Sequence, residues 1–140
     1  MTRDDVLAVL ARRSDTLARR DWAAFRKVYA EDARLHSPLA GSVQGRDAVV
    51  TATESFLTAF PDAVVTEEPA LVDDGRAVIL GDVTGTHIGG IMGLPPTGRA
   101  FRFSLAMVFH FRDGFIVEER RVYDFTGLLV QIGVLKAKPA

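Results

Sequence analysis

The first 60 residues carry apolar positions at helical spacing. Between residues 4 and 29 these positions lie mostly three or four apart, at Val6, Leu7, Leu10, Leu17, Trp22, Phe25 and Val28. The polar pair Arg20-Asp21 predicts a break in this helical stretch. A second helix is predicted from Gly45 through Phe60, with Asp47 as its N-cap and Pro61 closing it.

After Pro61 the pattern changes to alternation with a period of two, which is typical of strands. The predicted strands are residues 63–72, 76–87, 99–111 and 115–123, preceded by a short strand and turn at 35–43. Asp74-Gly75 and Asp113-Gly114 are hairpin signals. A Gly/Pro-rich loop spans 88–98, and residues 127–135 can form a short closing helix. Helices followed by antiparallel strands predict one α+β domain over residues 1–140, with helices on one face of the sheet.

The last predicted hairpin has the clearest alternation. Its first strand places one apolar side chain at every odd position, namely Phe101, Phe103, Leu105, Met107, Phe109 and Phe111. In the returning strand Phe115 and Val117 continue the odd pattern, but Glu119 and Arg121 then interrupt it. The apolar face of this hairpin is therefore expected to acquire two charges.

Which charges point inward depends on the turn. If a bulge in the turn keeps odd positions opposite odd ones, Glu119 and Arg121 face the helices. A strict two-residue loop instead turns Glu118 and Arg120 inward. Because a buried charge is costly unless paired, Glu119 and Arg121 would need each other, a ligand or water.

Composition excludes several classes of function. Seventeen basic and eighteen acidic residues give a net charge of −1, which offers no electrostatic case for binding nucleic acid or an anionic membrane. The absence of cysteine excludes thiol catalysis, and the three histidines have no metal-ligand spacing, so no metal site is expected. The charged N-terminus and the lack of an 18-residue apolar stretch favour a cytoplasmic location.

Several short segments, in their order along the chain, resemble the SnoaL-like polyketide cyclase family. They are residues 29–32, 46–48, 85–89, 93–99, 113–114, 123–125 and 128–133. The resemblance covers nearly the whole chain. It implies a cone-shaped α+β barrel around an apolar cavity, with a mainly antiparallel curved sheet and a short C-terminal helix. It also implies no cofactor, a small hydrophobic molecule as partner, and a homo-oligomer, with a dimer favoured.

The catalytic positions of the resembling family are changed here. The family's acid/base aspartate lies three residues before the Asp-Phe pair, where this chain has Arg121. The family's partnering histidine falls on Met107, and a nearby glutamine falls on Leu105. Because an arginine stays charged and exchanges no proton near neutral pH, the family's aspartate-driven aldol cyclisation in its usual form is not expected.

Three residues are catalytic candidates. The guanidinium of Arg121 offers a planar donor fork for a carbonyl, a carboxylate or an enolate, while Glu119 or His36 would move a proton. His36 adjoins Ser37, the position at which ketosteroid isomerases of the same fold place their general base. The alternative for Glu119 and Arg121 is a structural ion pair, and for His36 a solvent-facing or core position.

Substrate-binding candidates come from the apolar face and one acidic strand residue. They are Trp22, Tyr29, Phe60, Asp82, Phe103 and Met107. Among the other polar residues, His87 is expected to pin the glycine loop and Asp124 to cap the closing helix.

The first hypothesis is a cofactor-independent cyclase, isomerase or dehydratase acting on an apolar cyclic or polyketide-like carbonyl compound. The second is a non-catalytic protein of the same fold that binds a small hydrophobic ligand. A third is a scaffold whose cavity is filled by its own side chains.

Overall fold

A computed structural model describes residues 1–136. It contains four helices, α1 Arg3–Ala18, α2 Trp22–Arg26, α3 Arg46–Ala59 and α4 Phe125–Gln131. It contains seven strands, β1 Tyr29–Ser37, β2 Gly41–Gln44, β3 Val64–Glu67, β4 Leu71–Asp73, β5 Arg76–Thr86, β6 Ala100–Arg112 and β7 Phe115–Tyr123. No helix in this part of the chain is both long and apolar enough to cross a bilayer.

Short-range polar contacts set the ends of the helices. The break predicted in the first helical stretch is confirmed, since Arg20 has a left-handed backbone (φ 56°) and the Asp21 carboxylate caps α2. Asp47 does not cap α3 as predicted. Its carboxylate instead accepts a hydrogen bond from Arg26. Asp124 does cap α4, accepting from the Gly127 N–H at 2.8 Å, so this helix begins earlier than predicted.

The strands form one mixed sheet in the order β2-β1-β7-β6-β5-β3, with β4 also paired to β5. Among the strands of residues 1–136, only the β1–β7 pairing is parallel. The sheet is not closed, and the chain has the expected α+β cone-like fold with a short C-terminal helix. The predicted strand 63–72 is divided into β3 and β4 around Pro69, which lacks a backbone donor. The first strand already begins at Tyr29, six residues before the prediction.

A bulge between β6 and β7 determines which side chains of β7 face inward. Next to the turn Phe111 pairs with Ile116, whereas further along Phe109 pairs with Glu119. One residue of β7 is therefore extra, and the odd positions oppose each other only beyond it. The prediction was wrong for Phe115, which is 41% exposed, because Ile116 takes the inward place and is fully buried.

Beyond the bulge the assumption that odd positions oppose odd ones is confirmed. Met107 pairs with Arg121 and Phe109 with Glu119. The Glu119 side chain is fully buried on the helix-facing side of the sheet. Two charged residues thus interrupt the apolar face of the hairpin.

The loop between β5 and β6 is fixed by His87. The Thr97 N–H donates to His87 Nδ1 at 3.2 Å, and the Gly98 N–H donates to the His87 carbonyl at 2.9 Å. The His87 side chain is fully buried and its ring lies 5.8 Å from that of Phe60. The predicted role of His87 in holding the glycine loop is confirmed.

Candidate functional site

A cleft lies between the helices and the inner face of the sheet, and we call it the inner cleft. Its apolar wall includes Leu17, Phe56, Val83, Phe103, Leu105 and Met107. Its polar lining comes from Arg13, Thr53, Arg121 and Tyr123. The cavity itself measures about 60 Å³, and the rest of the space between its walls opens to solvent. An apolar wall with a few convergent polar groups is the usual form of a small-molecule site.

Arg13 extends from α1 to the cleft, where Tyr29 and Glu119 bind its guanidinium. Its side chain is 2% exposed. Its Nε donates to the Tyr29 hydroxyl at 2.9 Å and to Glu119 Oε1 at 3.1 Å. Its Nη2 donates to Glu119 Oε2 at 2.9 Å. The guanidinium and carboxylate therefore meet through two roughly parallel bonds, the strongest geometry available to such a pair.

Arg121 reaches the same carboxylate from β7. Its Nε donates to Glu119 Oε2 at 2.6 Å, and its Nη2 donates to Thr53 Oγ1 at 2.8 Å. Thr53 in turn donates to the Val49 carbonyl at 2.8 Å, so its hydroxyl is oriented to accept from the arginine. These bonds fix the plane of the Arg121 guanidinium. Within residues 1–136 they use Nε and Nη2, and Nη1 makes no hydrogen bond to the protein.

Charge and burial decide the ionisation of Glu119. Burial alone raises the pKa of this carboxyl, but the nearby charges of Arg13 and Arg121 outweigh burial and lower the pKa to about 2. Tyr29 also donates to Glu119 Oε1, at 2.5 Å. At neutral pH Glu119 is therefore an anion whose two oxygens are already occupied by donors.

Tyr29 is the neutral member of this group. Burial raises the pKa of its hydroxyl well above the ordinary value, and the negative charge of Glu119 acts in the same direction, against the charges of Arg13 and Arg121. The hydroxyl therefore stays protonated, donates a hydrogen bond to Glu119 and accepts one from Arg13. Tyr29 is a structural bridge between an anion and a cation.

A second acidic residue stands beside Arg13 at the edge of the cleft. Glu67 Oε1 lies 3.9 Å from Arg13 Nη1, beyond hydrogen-bond distance, and the carboxylate is 21% exposed. Its other oxygen accepts from the Ser14 hydroxyl at 2.7 Å. Arg13 Nη1 is itself buried and has no hydrogen-bond partner among residues 1–136.

Comparison with known proteins assigns the family. A model of the SnoaL-like polyketide cyclases matches residues 8–132. The chain belongs to this family. A search of the curated proteins finds no match.

Solved structures of the family share the fold over nearly the whole chain. AclR from Streptomyces galilaeus, a proposed hydroxylase, is 28% identical, with a TM-score of 0.82 over 99% of this chain and 87% of its own. IdmH from Streptomyces antibioticus, a proposed polyketide cyclase, is 27% identical, with a TM-score of 0.76 over 90% of this chain and 96% of its own. A SnoaL-like protein from Jannaschia sp. CCS1 is 20% identical, with a TM-score of 0.86 and coverages of 97% and 94%.

The candidates from the sequence divide into those at the inner cleft and those elsewhere. Arg121, Phe103 and Met107 line the cleft. Glu119 and Tyr29 lie directly behind its polar lining and are fully buried. The structure therefore brings five of the nine candidates together in this SnoaL-like domain.

Two aromatic candidates belong to the surrounding core. The Trp22 ring packs edge-on against Phe25, with centroids 5.5 Å apart. The Phe60 ring packs against Phe101 at 4.6 Å and is fully buried. Neither side chain is part of the cleft wall.

His36 and Asp82 lie on the opposite face of the sheet. Leu35 is fully buried and pairs with Glu119, so alternation turns His36 outward, where its Nδ1 lies 2.8 Å from Ser42 Oγ. Val83 lines the cleft, so Asp82 also points outward and accepts from the Ser104 hydroxyl at 2.8 Å. The expectation that Asp82 lines the cavity was wrong, and His36 does not reach it.

Sequence reasoning missed Arg13 and Thr53. Arg13 lies three positions after Leu10 and seven after Val6, on the buried stripe of α1. Thr53 lies midway between Val49 and Leu57 on the buried stripe of α3. A charged or polar residue at a stripe position is the signal that could have identified both.

The polar lining suits an anion better than a cation. Within the described residues, no group of three or more histidine, aspartate or glutamate side chains has metal-binding geometry. The cleft instead presents two guanidinium groups and two hydroxyls. The guanidinium groups are the donors suited to carbonyl, carboxylate or enolate oxygens, since the Thr53 hydroxyl already donates to Val49.

Proposed function

We propose that the protein is a cyclase- or isomerase-type enzyme that takes a small polyketide-like carbonyl compound into the inner cleft and needs no cofactor. The observation that carries this proposal is the guanidinium of Arg121, which Glu119 and Thr53 hold in one orientation beside the apolar wall of the cleft. Membership of the SnoaL-like family supports the reaction class.

Arg121 would act on the oxygen of the substrate. A carbonyl oxygen gains negative charge when the carbon beside it loses a proton or when the carbonyl carbon is attacked. A donor already oriented toward that oxygen in a water-poor site stabilises this charge without reorganising. The bonds to Glu119 and Thr53 provide this orientation in the ground state.

Proton transfer places a condition on the substrate. Glu119 has its pKa lowered to about 2 and is occupied by three donor side chains, so it is a poor base. His36 is on the other face of the sheet. We therefore infer that the substrate has an acidic C–H, as between two carbonyl groups. This C–H would give its proton to water at the cleft mouth, and the resulting enolate would lie against Arg121.

The second candidate function is binding without catalysis. The composition of the cleft lining favours this function, because the lining includes no side chain suited to proton exchange near neutral pH. The names of AclR and IdmH point to different reactions, a hydroxylation and a cyclisation, so the fold alone does not select the chemistry. A homo-oligomer, a cytoplasmic location and the absence of nucleic-acid or membrane partners stay predictions.

A thermal-shift screen against aromatic polyketides, steroids and terpenoid carbonyls tests the proposal. A ligand at 100 times its Kd adds about 2.7 kcal/mol, which raises Tm by roughly 5–10 °C at this chain length. A compound that shifts Tm is then assayed for turnover. Binding without turnover would support the second candidate.

Matched arginine variants then test the assigned group. Arg121→Ala is expected to lower turnover by about 100-fold or more, as for loss of an oxyanion donor. Arg120→Ala removes an exposed arginine from the other face of β7 and should leave turnover unchanged. Equal turnover in both variants would contradict the role of Arg121.

A further inference from the structure

The inner cleft holds two cations against one shared anion. Arg13 Nη2 and Arg121 Nε both donate to the same oxygen, Glu119 Oε2, at 2.9 and 2.6 Å. Both arginines line the cleft, whereas Glu119 lies behind them. A bound molecule therefore meets two guanidinium groups, whereas the carboxylate that they share lies behind them.

Glu67 compensates this charge only in part. Its carboxylate lies 3.9 Å from Arg13 Nη1, is partly exposed, and already accepts from Ser14. Solvent screening weakens an ion pair at such a position. Arg13 Nη1 thus remains a buried donor with no hydrogen bond among residues 1–136. A buried donor without an acceptor is costly and is commonly satisfied by a bound group.

We propose that the molecule accepted by the inner cleft carries an anionic oxygen group, a carboxylate in the simplest case, which binds at Arg121 Nη1 and is attracted by Arg13. This inference rests on the proposed function, since it names the substrate class for the same cleft. A neutral carbonyl accepts a hydrogen bond but leaves the excess positive charge in place. A carboxylate supplies both the acceptor and the missing charge.

The apolar wall defines the remainder of the ligand. Phe103, Leu105 and Met107 present a continuous hydrophobic strip along β6 beside Arg121. Phe103 also stacks with Tyr123, their ring centroids 4.7 Å apart. A flat apolar body would cover this strip while its acidic group meets the arginines. The ligand class is therefore an aromatic or polyketide-like acid.

Paired probes of equal shape test the charge requirement. Benzoate is compared with benzamide, and 2-naphthoate with 2-naphthamide, by calorimetric titration of the full chain at low salt. We expect each carboxylate to bind at least about tenfold more tightly than its amide, as for a hydrogen bond to a charged group. Arg121→Met should abolish this preference. The matched variant Arg120→Met, on the outer face, should keep it.

A second variant tests the charge without touching the arginines. Glu67→Gln removes the partly competing anion and should tighten carboxylate binding several-fold while leaving amide binding unchanged. Acid and amide binding equally, with both dependent on Arg121, would overturn the inference while the proposed function stands. If no probe of either kind binds, the inference and the proposed function both fail.

Discussion

Strand β7 carries the same pair of residue types on both of its faces. On the inner face Glu119 is fully buried and accepts from Arg13, Tyr29 and Arg121. On the outer face Glu118 is 23% exposed and pairs with Arg34 at 3.0 Å. The inner carboxylate is completely surrounded by donors, whereas the outer one shares its charge with water.

This difference shows why the side chains of the inner face are the more firmly positioned. An exposed ion pair contributes little because water solvates both partners, so its geometry is weakly determined. A buried pair must recover its desolvation cost through close and complete bonding. The side chains around Glu119 are consequently fixed, and a fixed guanidinium such as Arg121 is oriented before a ligand arrives.

The largest expected effect follows removal of the inner charge. Glu119→Gln leaves Arg13 and Arg121 buried without their anion and should lower the free energy of unfolding by about 3–5 kcal/mol. Glu118→Gln, one position earlier on the outer face, should cost no more than about 1 kcal/mol. Urea denaturation measures both. Similar losses in the two variants would show that the faces do not differ energetically.

Low pH should remove much of the stability that Glu119 gives the folded chain relative to the Glu119→Gln variant. Its pKa is about 2 in the folded chain against 4.5 ordinarily, so the unfolded state binds its proton first as pH falls. This stabilisation is complete above about pH 4.5 and is lost as pH falls toward 2. The stability difference between wild type and Glu119→Gln should be roughly 2 kcal/mol smaller at pH 3 than at pH 6. A constant difference would contradict the lowered pKa.

Removal of one hydroxyl from each face gives a smaller contrast. Tyr29→Phe keeps the aromatic packing with Phe25 but leaves Glu119 and Arg13 each one bond short, at an expected cost of about 1–3 kcal/mol. Ser42→Ala removes the exposed partner of His36 and should cost under about 0.5 kcal/mol. Thermal unfolding of the two variants at neutral pH should separate them clearly.

The smallest effect is expected at the outer ion pair itself. Arg34→Gln removes the 3.0 Å partner of Glu118, and the arginine is 55% exposed. The loss of stability should lie between about 0 and 1 kcal/mol and should shrink further in 1 M salt. A loss above 2 kcal/mol that resists salt would mean that the outer face is organised like the inner one.

Much of the fold could be predicted because it depends on local signals. Residues close together in the sequence determine the apolar stripe of α1, the break at Arg20 and the turn at Asp113-Gly114. The inward orientation of Glu119 followed from alternation once a bulge was assumed. The bulge lies beyond the turn and not within it, so the predicted inward orientation of Phe115 was wrong.

The candidate site was harder to predict because its partners are distant in sequence. Arg13 and Glu119 are 106 positions apart, and periodicity tells which way a side chain faces but not what it meets. The orientation of His36 depends on the parallel pairing of β1 with β7, which has no local signal in the sequence. The face of the sheet on which a side chain lies was therefore predictable only within the β6–β7 hairpin.

The most direct test locates a bound acid on one of the two faces of β7. Side-chain and amide NMR spectra of the ¹⁵N-labelled protein would be followed as 2-naphthoate is added. We predict shifts confined to the inner cleft, at the guanidinium of Arg121 and the amides of Thr53 and Met107, with Glu118, Arg120 and His36 unchanged. Shifts confined to the outer residues, with Arg121 unmoved, would contradict the assignment of the inner cleft as the functional site.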